Sequence, residues 1–260
     1  MYEIDYVDFE GRVWPLHARG RRHGVIILED GVSGLIGEAK DSVVNPVGAP
    51  GQLFDDVEVQ AIEGELKCIL IPYGETVGKL FSRWRAAWSR RKYGTLRVRQ
   101  RDVGASTWSL QVRLAEGIDL PEIAPQGMTP CEVSVRMVGD GGVWLSDEVR
   151  ASGAVTVANF GDVPVWPSVA WKGAGGKVTL PSGATFTLPA ATDRRVMHLD
   201  PAESLAVTDM NGAVDRDLWL KVAAVGWAEP VMPDKTATFT VPKGAELAWH
   251  VGVLDPFGGA

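Results

Sequence analysis

The sequence is poor in cysteine and histidine, which limits the sites it could build. Its 260 residues include two cysteines and four histidines. Cys68 and Cys131 have no neighbouring cysteine or histidine at metal-ligand spacing, so neither a zinc site nor a disulfide framework is supported. Both are interpreted as small buried apolar residues. We predict no metal site and no cofactor.

Long apolar runs and an export signal are also missing. The sequence begins Met1-Tyr2-Glu3-Ile4-Asp5, which is acidic where a secretory signal would be basic and then apolar. No apolar run approaches the length that spans a membrane. We therefore expect synthesis and assembly in a host cytoplasm without a signal peptide, and release as part of a particle or on lysis.

An overall excess of positive charge is absent as well. The formal net charge is −7 and the pI is near 5.2. This charge argues against a membrane surface or sequence-specific nucleic acid as partner, because both require neutralisation of negative charge.

Catalytic motifs are not evident. His17, His23, His198 and His250 lie in unrelated contexts, and no Gly-x-Ser-x-Gly motif accompanies them. Glycine-rich stretches at 31–34, 139–142 and 173–176 lack the strand-to-helix context of a phosphate site and are interpreted as turns. The 33 acidic residues leave a glycosidase-like carboxylate pair possible in principle, without a motif that favours one. We predict no catalytic residues and no enzymatic activity.

Thirty glycines and sixteen prolines divide the sequence into short elements, which favours strands. Apolar and polar residues alternate in the first half, as half-buried strands require. The clearest examples are Leu96 to Arg99, Trp108 to Leu114 and Cys131 to Met137. A further strand pair is predicted within Val57 to Ile71, with its turn near Glu63-Gly64-Glu65.

One segment, about 76–93, has a different period. Val77, Leu80, Phe81, Trp84 and Trp88 recur at three- and four-residue intervals, which predicts an amphipathic helix ending near Gly94. Its polar side is basic, with Lys79, Arg83, Arg85, Arg90, Arg91 and Lys92. We interpret this side as a solvated face that complements the helix dipole, with weak, sequence-blind contact to passing DNA as the alternative.

The composition changes near Glu148, and we predict domains at 1–148 and 149–260. Hairpins are indicated in the second half at Pro181-Ser182-Gly183 and at Asn211-Gly212, the latter between Leu205/Val207 and Leu218/Leu220/Val222. Short strands at this spacing predict a β-sandwich. Its tryptophans at 166, 171, 219, 227 and 249 are interpreted as core or interface residues, with stacking on a sugar as the alternative.

The segment Val155 to Gly173 contains Asn-x-Gly-Asp-x-Pro, then x-Trp-Pro, a strand and a glycine turn. It resembles a signature of siphophage distal tail proteins and related minor tail proteins. The segment Gly24 to Leu35 and the helix from Thr76 occupy the places expected in that family's ring-forming domain. The resemblance covers nearly the whole chain and implies an N-terminal β-domain with a packed helix, followed by a galectin-like β-sandwich.

The resemblance also implies a structural role in the baseplate of a virion. In that family the first domains form a hexameric ring that joins the tail tube to the tail-tip hub, with the genome passing through its lumen. The sandwich domains project outward, and receptor-binding proteins are possible further partners in host adsorption. Two alternatives are a carbohydrate-binding protein of the virion and a β-sandwich enzyme that degrades glycans.

Overall fold

The chain forms two compact units in the computed structural model, which describes residues 2–44, 53–100, 106–119 and 127–258. The first unit runs to Leu145 and also includes the tail from Val253, while the second runs from Ser146 to Gly252. The division predicted after Glu148 lies three residues beyond the observed one, and the return of the tail to the first unit is not among the predictions.

The first unit is built on an antiparallel sheet. Its strands are β1 (Tyr2–Val7), β2 (Val13–His17), β3 (Gly24–Ser33), β4 (Ala39–Val44), β5 (Leu53–Val59), β6 (Ile62–Ile71), β7 (Gly94–Gln100), β8 (Thr107–Leu114), β9 (Cys131–Gly139) and β10 (Trp144–Ser146). The order in the main sheet is β2-β1-β7-β8-β9-β6-β3, and β4 pairs with β5 in a separate hairpin. The predicted alternation holds, since Trp108, Leu110 and Val112 are all buried.

A helix, α1 (Val77–Ala86), covers the core of this unit through a cluster of aromatic rings. Trp84 is fully buried and makes edge contacts with Trp14, Tyr6 and Trp88. The rings of Tyr6 and Trp88 stack with centroids 4.0 Å apart, and Tyr6 Oη donates to Ala87 O at 2.9 Å. Burial, together with the nearby charge of Asp8, raises the pKa of Tyr6. The phenol therefore stays a neutral hydrogen-bond donor.

The helix is shorter than the predicted 76–93. Thr76 caps its N-terminus by accepting from Lys79 N, and the helix ends at Ala86. Ser89 then turns the chain, because its hydroxyl accepts from the amides of Arg91 and Lys92 while its carbonyl accepts from Leu114 N. Gly94 does not stop the helix but begins β7, where any Cβ would collide with the Tyr6 ring.

The turn predicted at Glu63-Gly64-Glu65 is wrong. These residues lie inside β6, which pairs with β9 without interruption from Ile62 to Leu70, and the chain turns instead between Val59 and Ile62. Gly64 is required by packing, since a Cβ at this position would overlap the side chain of Leu35.

The glycine-rich stretches have two different structures. Gly142 N donates to Gly139 O in a turn after β9, and Gly173, Gly175 and Gly176 all have positive φ, as turns require. Gly31, however, lies inside β3, where the pairing with β6 shifts register and Asp30 has φ of 56°. That stretch is therefore a bulge in a strand rather than a turn between strands.

The second unit is the predicted β-sandwich. Its elements are β11 (Val149–Ala151), β12 (Ala154–Asn159), β13 (Ser168–Gly173), β14 (Gly176–Thr179), β15 (Thr185–Leu188), β16 (Ala191–His198), a 3-10 turn (Pro201–Glu203), β17 (Val207–Thr208), α2 (Arg216–Ala223), β18 (Lys235–Thr240) and β19 (Ala245–Trp249). The last strand, β20 (Gly252–Val253), pairs with β10 and extends the main sheet. One sheet has the order β11-β19-β13-β16-β17 and the other β12-β18-β14-β15. Side chains from both sheets, including Trp171 and Phe239, share one core.

The hairpin at Pro181-Ser182-Gly183 joins β14 to β15 as predicted. The chain also turns at Asn211-Gly212, but the strand expected after it is wrong, because Leu218, Leu220 and Val222 lie on α2. Asp215 caps this helix by accepting from Leu218 N. Val222 is buried, Leu218 and Trp219 are half-buried and Leu220 is exposed, which is the burial of a helix rather than of a strand.

Candidate assembly surfaces

The β4–β5 hairpin extends apolar residues into solvent. Val43, Val44 and Leu53 are exposed, Leu53 to 61%. Consecutive residues of a strand point to opposite faces, so the exposure of both Val43 and Val44 leaves both faces of the hairpin open. Among the described residues this hairpin pairs with no other strand. A two-stranded sheet in water is marginally stable by itself, which makes the hairpin a candidate for burial in an assembly.

The outer side of α1 and the turn after it form a basic surface. Three of its cations are engaged: Arg83 pairs with Glu75, Arg90 donates to Ala115 O at 3.0 Å, and Lys92 lies 4.8 Å from the Phe9 ring centroid. Lys79, Arg85 and Arg91 are exposed, and none of the three has an ion-pair partner among the residues that the structure describes. The predicted basic face is therefore present and only partly neutralised.

The main sheet ends at β2 and β3, which form no ladder with a further strand within the described ranges and lie against each other. An open groove of about 460 Å³ lies beside β6, β8 and β9. Arg136 contacts Glu65 at 3.7 Å and Glu116 at 3.2 Å across this groove. The lining also includes Glu63 and Arg113, so it carries three carboxylates and two guanidinium groups.

A second set of charges holds the turn after β9. Asp140 accepts from Arg113 Nε at 2.7 Å and from Tyr93 Oη at 2.7 Å. These two hydrogen bonds, from Arg113 first, hold the pKa of Asp140 below its ordinary value. The contact fixes the end of the basic segment to the sheet through exposed groups, each of which contributes modestly to stability.

In the second unit, the Asn-x-Gly-Asp-x-Pro signature forms a corner around one buried amide. Asn159 Nδ2 donates to Val163 O and to Val231 O, both at 2.8 Å, and its Oδ1 accepts from Gly161 N at 2.9 Å. A Cβ at Gly161 would collide with Gly252 O, which explains glycine at this position. The signature is therefore an architectural element that bends the chain from β12 toward β13.

We expect Asn159→Ala to lower the free energy of unfolding of the second unit by about 3 kcal/mol, because three buried hydrogen bonds are lost. Thr187→Ala, at an exposed position of β15, is the matched control and should change stability by less than about 0.5 kcal/mol. Hydrogen exchange of second-unit peptides in rising urea measures both. Equal stabilities of the two variants would contradict the role given to the amide.

The tryptophans of the second unit are mostly packed. Trp171 and Trp249 are buried, and Trp171 Nε1 donates to Pro189 O at 2.8 Å. Trp166 and Trp219 are half-buried, and Trp219 Nε1 donates to Ser204 O. Trp227 is 66% exposed. The core interpretation therefore holds for Trp171 and Trp249, whereas Trp227 presents its ring to solvent.

Each of the four histidines contacts a different residue, and none contacts another histidine. His17 Nδ1 lies 2.8 Å from Tyr2 O and His250 Nδ1 lies 2.8 Å from Ser146 O. His23 stacks on Tyr73, and His198 Nε2 lies 3.4 Å from Thr208 Oγ1. Cys68 is a buried free thiol whose pKa burial raises to about 12, and Cys131 is a half-buried free thiol.

Within the described ranges, no group of three or more histidine, cysteine or acidic side chains is arranged to hold a metal ion. The helices found there are also too short or too polar to cross a membrane.

The sequence matches no family model and no curated protein. Solved structures do match over almost the full length. The crystal structure of the Dit protein of phage SPP1, described as a paradigm of the hub adsorption apparatus in Gram-positive-infecting phages, aligns with 97% of this chain and 99% of its own. The TM-score is 0.61 and the sequence identity 12%.

Two structures of the phage P2 baseplate in its activated conformation, one with Ca and one with Sr, also match. Each covers 96% of this chain and 98% of the matched chain, with a TM-score of 0.53 and 9% identity. At these identities the likeness is one of fold. The resemblance to distal tail proteins is confirmed at that level: this chain has the fold of Dit, with a helix-bearing β-unit and a galectin-like sandwich.

Proposed function

We propose that this chain is a structural protein of a phage tail tip, in which copies assemble into a hexameric ring between the tail tube and the tail-tip hub. The observation that carries the proposal is the end-to-end match of both units to the SPP1 Dit protein, without a large insertion or omission on either side. A match that covers the whole chain supports a shared architecture rather than one borrowed domain.

The first unit, corresponding to the predicted domain 1–148, is the ring-forming part of the proposal. A closed ring of identical copies needs two different complementary surfaces on each copy. The first unit offers unlike surfaces of this kind, namely the apolar β4–β5 hairpin and the basic face of α1. The tail tube protein and the hub would contact the two flat sides of the ring, and the genome would pass through the lumen.

The second unit, corresponding to domain 149–260, projects outward in the proposal and carries contacts to other baseplate or receptor-binding parts. Its exposed apolar residues include Phe160, Leu220 and Trp227. On this account the chain acts through its shape and performs no reaction. Localisation at the virion tail tip follows from the same role.

Mass measurement combined with negative-stain microscopy of the purified protein tests the proposal. We expect six-membered rings with a central channel, formed by the protein alone or on addition of its tail neighbours. A protein that stays monomeric in both conditions would contradict it. So would hydrolysis of cell-wall or capsular polysaccharide that is lost on mutation of one carboxylate.

A further inference from the structure

We propose that the basic face of α1 binds the phosphate backbone of double-stranded DNA without reading its sequence. This face consists of the outer side of α1 and the turn after it, with the cations Lys79, Arg83, Arg85, Arg90, Arg91 and Lys92. The inference rests on the proposed function, because a ring around the tail channel brings the passing genome within reach of the first unit.

The charge of this face is concentrated and of one sign. The helix and the turn after it contain six basic residues and no acidic residue. Lys79, Arg85 and Arg91 are exposed and form no ion pair in the described part of the chain. Glu75, just before the helix, already pairs with Arg83. Three cationic side chains therefore remain available to an anion.

The shape of the face allows close approach of a phosphate backbone. Ser82 and Ala86 form a strip of small, exposed side chains along α1. Because successive residues of a helix are rotated by about 100°, Arg85 lies on one side of this strip, and Lys79 and Arg83 lie on the other. A nucleic-acid backbone that follows the strip would have cations on both of its sides.

The composition of the face favours DNA over a protein partner, although the face is also a candidate for the ring contact. From residue 77 to residue 92, all of which the structure describes, the exposed side chains are basic, small or polar, and none is large and apolar. The core of a protein interface is rich in aromatic side chains and depleted in lysine. A phosphate backbone is bound through charge and needs no apolar anchor. The ring contacts then fall to the β4–β5 hairpin and other parts of the first unit.

The overall negative charge of the chain does not prevent this contact. The net charge is −7, but the Debye length at physiological ionic strength is about 8 Å, so distant carboxylates are largely screened. One copy can neutralise about three phosphates through its unpaired cations, and its affinity for DNA should fall roughly 40-fold between 50 and 200 mM salt. Such a weak contact, blind to sequence, lets the genome slide past the ring.

Fluorescence anisotropy of a short labelled DNA duplex, titrated with the full chain over this salt range, tests the inference. The unaltered protein should bind two duplexes of unrelated sequence with affinities within about twofold of each other. The helix variant, Lys79→Gln/Arg85→Gln, removes two of the three unpaired cations and keeps residue types that favour a helix. It should bind at least about tenfold more weakly at the lower salt, and its affinity should fall only about fourfold over the salt range.

A control variant, Lys177→Gln/Lys235→Gln, has the same change in net charge at exposed positions of the second unit and should bind within about twofold of the unaltered protein. Circular dichroism verifies that all variants are folded, and mass photometry compares their assembly, which should be the same. If the unaltered protein binds neither duplex, or the helix and control variants bind equally well, the inference fails while the proposed function stands. The inference also fails if the helix variant binds DNA normally but no longer assembles, because the face is then a protein contact. If the unaltered protein never forms a ring, alone or with its tail neighbours, the proposed function itself has failed.

Discussion

Deletion of residues 253–260 should lower the free energy of unfolding of the first unit by on the order of 5 kcal/mol. The tail contributes Val253 to the first core, and Phe257 packs its ring against Tyr2 and Trp144. It also supplies backbone bonds, since Leu254 O accepts from Gly37 N at 2.8 Å and Phe257 O accepts from Tyr2 Oη. A loss of this size is comparable to the whole stability of many domains.

Glu132→Ala, at an exposed position of the first unit, is the control and should leave the stability of that unit unchanged within about 0.5 kcal/mol. Hydrogen exchange by mass spectrometry separates the units, because first-unit peptides should lose protection while second-unit peptides keep theirs. Unchanged protection of the first unit in the deletion variant would contradict the structural role of the tail.

The second large effect is expected for Trp84→Ala, which should destabilise the first unit by about 4 kcal/mol. Trp84 lies at the centre of the ring cluster beneath α1, in contact with Tyr6, Trp14 and Trp88, so its removal leaves a cavity that these rings cannot fill. Urea unfolding followed by circular dichroism measures the change.

Trp227→Ala removes the same side chain from an exposed position and should cost less than about 0.5 kcal/mol. A loss below about 1 kcal/mol for Trp84→Ala would show that α1 is not anchored by this cluster.

Much of the fold is predictable because its strands bury one face only. The alternation around Trp108, Leu110 and Val112 identifies a strand, and the intervals of Val77, Leu80 and Trp84 identify a helix. The alternation at Leu218, Leu220 and Val222 misleads, because Leu218 and Val222 are four residues apart and therefore also share one face of a helix, while Leu220 is exposed. The cap at Asp215 was the available signal for that helix.

Two features of the fold could not be predicted from local sequence patterns. The early end of α1 depends on the hydroxyl and carbonyl of Ser89, which bond outside the helix. The return of the tail depends on contacts between Phe257 and residues near the start of the chain, which no periodicity encodes.

For the assembly surfaces, the basic side of α1 is evident from the sequence. The exposure of the β4–β5 hairpin is not, since the same apolar residues would suit a covered strand. Their availability to a neighbour becomes visible only when the sheet order leaves the hairpin outside the main sheet.

In the proposed ring, the first units surround the central channel. A cryo-electron microscopy reconstruction of the purified assembly tests this arrangement directly. We expect sixfold symmetry, with first units in contact around the channel and second units at the outer rim. Second units lining the channel, or copies joined through their sandwich domains alone, would contradict the account.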